Sequence, residues 1–202
     1  MLFRSQKADP ILSSEHFELA FPVNQQPWAG ETLKELEALR RALGERADLL
    51  PGRVRVQTWE STEQFIRATG QRGWAAASNN GRSIGLQPLA TLKRKGILTT
   101  TLRHELTHLA VHPLRAKGIP QWFEEGMVLY LTGEQVGGVS SSNFKGRSLE
   151  TTVSKPRSES EMKSAYARAL NRVRGLARQR GEAALWQVLQ HPTEDDLRWL
   201  RN

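Results

Sequence analysis

The stretch from Leu102 to Leu131, LRHELTHLAVHPLRAKGIPQWFEEGMVLYL, concentrates the residues that could do chemistry. Its first half reads His-Glu-x-x-His, with His104, Glu105 and His108. On a helix from Leu98 to Val111 the two histidines lie one turn apart, about 40° from each other around the axis, so both imidazoles can reach one cation. Glu105 projects beside them, not as a ligand but within reach of a water on that cation. Zinc lowers the pKa of such a water to roughly 7, and a carboxylate base can then take its proton as it attacks a carbonyl. Apolar Leu102, Leu106, Leu109 and Val111 surround the motif, as expected of a helix packed into a core. Histidines on such a helix need polar partners, because burying them unsatisfied is costly. Metal ligation supplies partners, and hydrogen bonding within the core is the competing account.

A catalytic zinc site takes three protein ligands and leaves a position for water. His112 fails as the third, since it stands about 12 Å along the axis from His104 on a continuous helix. Pro113 also marks the helix end, which turns His112 towards the last carbonyls or solvent. The segment IPQWFEEGMVLYL reads as a second helix entered through Pro120, and it offers Glu124 and Glu125. These differ by about 100° around the axis, so only one of them can face a metal. A glycine follows Glu125 and permits close approach to a neighbouring element. Spacing alone leaves the choice between the two glutamates open.

LRHELTHL followed by IPQWFEEGMVLYL resembles the paired signature of the peptidase MA-like, gluzincin-type metallopeptidases, whose second helix reads Pro-x-Trp-x-x-Glu-Gly-x-x-x-Tyr. Pro120, Trp122, Glu125, Gly126 and Tyr130 match it. The resemblance implies a zincin-like fold, one Zn2+ held by His104, His108 and Glu125, Glu105 as general base, and a peptide or protein substrate. It is looser over the rest of the chain. Leu129 stands where the thermolysin branch carries an aspartate, so the likeness is to the wider family rather than to that branch. The oxyanion formed during amide hydrolysis needs a further donor. Tyr166 is the first candidate and Tyr130 the second, although Tyr166 shares a helical stripe with Leu170, Val173 and Ala177 that also fits simple packing.

The elements that must position these groups form an α+β chain: a small N-terminal sheet with helices over about residues 1–100, then the metal helices and a helical C-terminal part over about 101–202, taken together as one zincin-like domain. HFELAF and RVRVQTW alternate as strands. ETLKELEALRRALGE is helical, with Thr32 as its expected cap, and STEQFIRATG has Ser61 and Gln64 in a capping-box pattern with Gly70 as the stop. Asn80-Gly81 predicts a hairpin. The segment RSIGLQPL just before the motif is the expected substrate-aligning edge strand, with Arg82, Ser83, Ile84 and Gly85 as its contact residues. About thirty polar residues follow Gly133, and the part from Gly137 to Glu161 is a candidate lid.

The absence of cysteine excludes disulfides, thiolate metal sites and cysteine nucleophiles. No apolar run approaches the ~20 residues that span a bilayer. The first residues lack the apolar core of a signal peptide; an exported form with its signal removed would look the same, so location stays open. A formal net charge of +8 favours anionic partners. The competing reading is therefore a non-catalytic, metal-stabilised zincin-like module that binds an acidic polymer, a cell-wall fragment or nucleic acid. Five arginines between Tyr166 and Arg180 are spread around their helix rather than gathered on one face, which argues against nucleic-acid reading.

Overall fold

The computed structural model describes residues 9–137 and 146–201. The chain divides into two compact units, Met1–Leu109 and Ala110–Asn202.

The first unit is a mixed five-stranded sheet with helices. Strands β1 (Ile11–Ser13), β2 (Phe17–Ala20), β3 (Val54–Thr58), β4 (Ala77–Asn79) and β5 (Ser83–Leu86) stand in the order β1-β2-β3-β5-β4. The three central strands run parallel, and β1 and β4 flank them antiparallel. Register places Leu19, Val56 and Ile84 side by side, with Phe17 beside Val54 and Thr58 beside Leu86. All of these are buried, so one face of the sheet is core. On the other face Glu18 pairs with Arg53 and Arg55.

Helix α1 (Gln26–Ala42) packs on β1 and β2 through Leu33, Leu36 and Leu39. It begins six residues before Thr32, which bonds the Trp28 carbonyl from inside the helix and caps nothing. Pro27 in its first turn set that start. Helix α2 (Thr62–Thr69) follows the sequence expectation: the Ser61 side chain accepts from the Gln64 N–H, and Gly70 closes the helix at φ +69°. The expected hairpin forms around Asn80-Gly81. Helix α3 (Leu89–Arg94) ends at Gly96, also left-handed, and leads into α4 (Leu98–Val111). The strand β1 was not expected from the sequence; its three residues are too few to display an alternation.

The second unit is helical: α5 (Gln121–Thr132), α6 (Leu149–Ser154), α7 (Glu159–Arg180), α8 (Ala183–Gln190) and α9 (Glu194–Arg201). Its core joins Trp122, Phe123, Met127 and Val128 of α5 to Ala165, Ala169 and Val173 of α7. Part of the segment expected as a polar loop is the helix α6, capped by Ser148, whose side chain accepts from the Thr151 N–H. The remainder of the candidate lid includes residues 138–145, outside the described residues. Arg172 lies over both the Trp122 and Trp199 rings, at 4.3 and 4.8 Å, while the rings meet edge to face at 5.9 Å; it also donates to the Trp199 carbonyl, fastening α9 to α7.

Helices α5 and α7 approach closely at Gly126. A Cβ there would stand 2.6 Å from the Ala169 carbonyl oxygen and 2.8 Å from Val173 Cγ2. One of these atoms is backbone, so it cannot swing away. Gly126→Ala is expected to destabilise the protein by about 1–3 kcal/mol through forced separation of α5 and α7, measured by denaturant unfolding.

Asp196 gives the α9 start a pH dependence. Burial opposes its ionisation, but the Arg180 guanidinium and the Thr193 N–H and hydroxyl outweigh burial and hold its carboxyl below the ordinary value of 3.8. A lowered folded pKa means stability present above 3.8 and lost as pH falls through the lower folded value. Between about pH 5 and pH 2 the melting temperature of the wild type should therefore fall more steeply than that of Asp196→Asn.

Candidate metal site

Helix α4 presents its histidines as the spacing predicts. The His104 and His108 rings meet edge to face, centroids 4.8 Å apart, and their Nε2 atoms approach to 3.1 Å. Such a distance suits an imidazole–imidazole hydrogen bond. It also suits two ligands of one tetrahedral cation, which stand about 3.3 Å apart when each is 2.0–2.1 Å from the metal. Glu125 joins the pair: one ligand atom from each of His104, His108 and Glu125 lies within 4.8 Å of the others. The three residues could hold a metal ion. His112 is not among them, in keeping with its distance along the helix.

Local structure explains how α4 is held. Leu98, Leu102, Leu106 and Leu109 are buried at helical spacing. At its N-terminus the Thr99 hydroxyl donates to the Glu35 carboxylate of α1. Pro113 stops the helix, and residues His112–Leu114 tighten into a 3-10 turn. Glu105 is only 9% exposed, and its backbone carbonyl receives the Asn79 side-chain amide at 3.0 Å.

Helix α5 is fixed at both ends. Pro120 leads in, and the first-turn N–H of Trp122 donates to the Glu150 carboxylate at 3.1 Å. Gly133, left-handed at φ +70°, closes it, with the Glu134 N–H reaching the Leu129 carbonyl. Glu124 and Glu125 are both buried, at 4% and 6% exposure. The glutamate that does not join the histidines is therefore also withdrawn from solvent. Its carboxylate receives Arg115 Nη1 at 2.8 Å and lies 3.0 Å from His112 Nδ1. Glu124 is thus committed to the turn after α4, and a side chain about 100° away on the same helix points elsewhere. Local periodicity carried no signal for this pairing, because Arg115 and His112 lie in an irregular segment.

The remaining expected site residues are placed differently. Ser83, Ile84 and Gly85 lie in β5, which pairs with β3 on one side and β4 on the other, so RSIGLQPL is not an edge strand. Ile84 is buried in the core, and the space above Gly85 is filled by Trp59 and Ser78. Arg82 sits exposed in the hairpin turn. The outermost strand on this side of the sheet is β4, which among the described residues pairs with β5 alone, as β1 does with β2 at the opposite edge. Tyr130 is about 140° around α5 from Glu125, and its hydroxyl is 3.4 Å from the Glu182 carboxylate, so it is turned away from the ligand face. Tyr166 packs, partly buried, against the core of the second unit.

Comparison of the chain with family models, curated proteins and solved structures finds no match to any of them.

Protein purified without affinity metals is expected to carry about one equivalent of a divalent cation, and His104→Ala and Glu125→Ala each to lose it while remaining folded. Elemental analysis alongside far-ultraviolet circular dichroism checks this. Wild-type metal content in either variant would contradict the assigned ligands.

Proposed function

We propose that this protein is a zinc-dependent metallopeptidase of the gluzincin type, with a zincin-like fold, hydrolysing peptide bonds. The observation that carries the reading is the grouping of His104, His108 and Glu125, with the buried carboxylate of Glu105 between the two histidines in sequence. Two imidazoles and one carboxylate are the donor set that suits a catalytic zinc, since three protein ligands leave a position open. Zinc bound there would supply a polarised carbonyl and an acidified water.

The chain's own residues would do the rest. Glu105, adjacent to a ligand but not one itself, would accept the proton of the attacking water and pass it to the departing amine. The free edge of β4 would hold an extended peptide. The Asn80 N–H bonds the Ser83 carbonyl and the Gln87 N–H bonds the Ala76 carbonyl, so residues 76, 78 and 80 point their backbone groups at β5. By the pleat, the N–H and C=O groups of Ala77 and Asn79 point outward and can pair with a substrate strand. This edge replaces the one expected from RSIGLQPL, and the mode of recognition is strand addition.

The competing reading, a binding module for an anionic polymer, draws only on net charge. Two of the arginines in α7 are already committed within the protein, Arg172 to the tryptophan stack and Arg180 to Asp196. A structural zinc has no use for a base at Glu105. Among the described residues no helix is long and apolar enough to cross a membrane.

Glu105→Gln should retain the metal and the fold and lower kcat on a peptide library by about 10²–10⁴-fold. Turnover at the wild-type level in a metal-replete Glu105→Gln protein would remove Glu105 from the role of base. A metal-loaded wild type that cleaves no peptide, yet binds an anionic polymer in a salt-sensitive manner, would favour the binding module.

A further inference from the structure

The side chain of Asn79 joins two parts of the proposed site. Its Nδ2 donates to the Glu105 carbonyl at 3.0 Å, and its Oδ1 accepts the Gly81 N–H at 2.7 Å. This orientation of the amide is fixed, because the flipped one would face donor to donor and acceptor to acceptor. Asn79 also stands opposite Ile84, so its side chain emerges on the core face of the sheet, where α4 runs. The Glu105 carbonyl, inside a helix, already has its ladder partner four residues on. The Asn79 bond is an additional one, made by an element outside the helix. The backbone of Asn79 meanwhile supplies one of the two outward-facing pairs on the free edge of β4.

We propose that Asn79 is a positioning residue that sets the height of the substrate-binding edge over the general base. One residue contributes backbone groups to the edge and anchors its side chain on the main chain of the base, so a bound strand and Glu105 share one reference point. The inference rests on the metallopeptidase reading. Loss of the anchor lets β4 shift against α4, and a shift on the order of 1 Å between substrate and a catalytic group can reduce turnover by about 10²-fold without abolishing binding. The Asn80 side chain, in contrast, stays within the turn, accepting from the Arg82 and Ser83 N–H groups and the Ser83 hydroxyl.

The test uses the full chain, loaded with zinc, and compares wild type with Asn79→Asp, Asn79→Ala and Asn80→Ala. Asn79→Asp keeps an acceptor for Gly81 but sets a charged oxygen against the Glu105 carbonyl in place of the donor, whereas Asn79→Ala removes both bonds without adding charge, so a loss shared by the two variants reports the missing anchor rather than the new charge. The expected result for both Asn79 variants is kcat on an extended peptide lowered about 10–100-fold, with KM within about twofold of wild type and metal content unchanged. Asn80→Ala, which loosens the same hairpin without touching α4, should keep kcat. Overturning results are an Asn79→Asp kcat equal to wild type, an Asn80→Ala loss as large as that of Asn79→Asp, or loss of metal or of the folded state in both Asn79 variants, each of which would make Asn79 a purely structural residue. A wild type that cleaves no peptide overturns the metallopeptidase reading and this inference with it, whereas an active wild type beside an unaffected Asn79→Asp overturns the inference alone.

Discussion

Three carboxylates on two helices are withdrawn from water, and compensating them organises the rest of the molecule. Glu105, Glu124 and Glu125 are each at most 9% exposed. An isolated buried carboxylate is prohibitively unstable, so each needs an opposite charge, a hydrogen-bond donor or a cation. Glu124 is compensated within the protein by Arg115 and His112. Glu125 falls in a group with two imidazoles whose donor chemistry matches a divalent cation. Adjacent residues on one helix thus have separate electrostatic roles, one fastening a turn and the other available to a ligand. The 100° step of the helix keeps them apart.

Much of the surrounding structure holds these side chains in place. Helix α5 holds Glu125 in one direction because the residues flanking it around the axis are committed. Gly126 lies against the α7 backbone at Ala169, Trp122 is buried with its indole N–H on the Leu200 carbonyl, and Glu150 takes the Trp122 backbone N–H. The stack of Trp122, Arg172 and Trp199 extends this anchorage to the last helix. Within the first unit, hydrogen bonds from Asn79 and to Glu35 tie α4 to the sheet edge and to α1. Precise placement of a few polar groups therefore depends on packing contacts remote from them.

Local signals in the sequence determine structure where the physics is local. Ser61 and Gly70 bound a helix through capping and a left-handed stop, and Asn80-Gly81 makes a hairpin through turn chemistry. The histidine spacing translated directly into neighbouring rings. Elsewhere the competing interaction was distant in sequence. Thr32 resembled a cap, but Pro27 offered an earlier start, and the hydroxyl went to Trp28. The strand at Ser83 resembled an edge because nothing in its residues announces that β4 would fold back outside it.

By itself the sequence determined the two helices, the pairing of His104 with His108, and the presence of a glutamate beside a close-packing glycine. Those depend on periods of 3.6 and 2 and on the chemistry of single residues. Tertiary structure alone decided that Glu124 is neutralised by Arg115 and His112, that β4 rather than β5 is outermost at its side of the sheet, and that Asn79 reaches the carbonyl of Glu105. The two side-chain contacts join groups 9 to 26 residues apart, and the strand order rests on pairing Val56 with Ile84, 28 residues apart; no local rule of spacing extends across an irregular turn or a strand order.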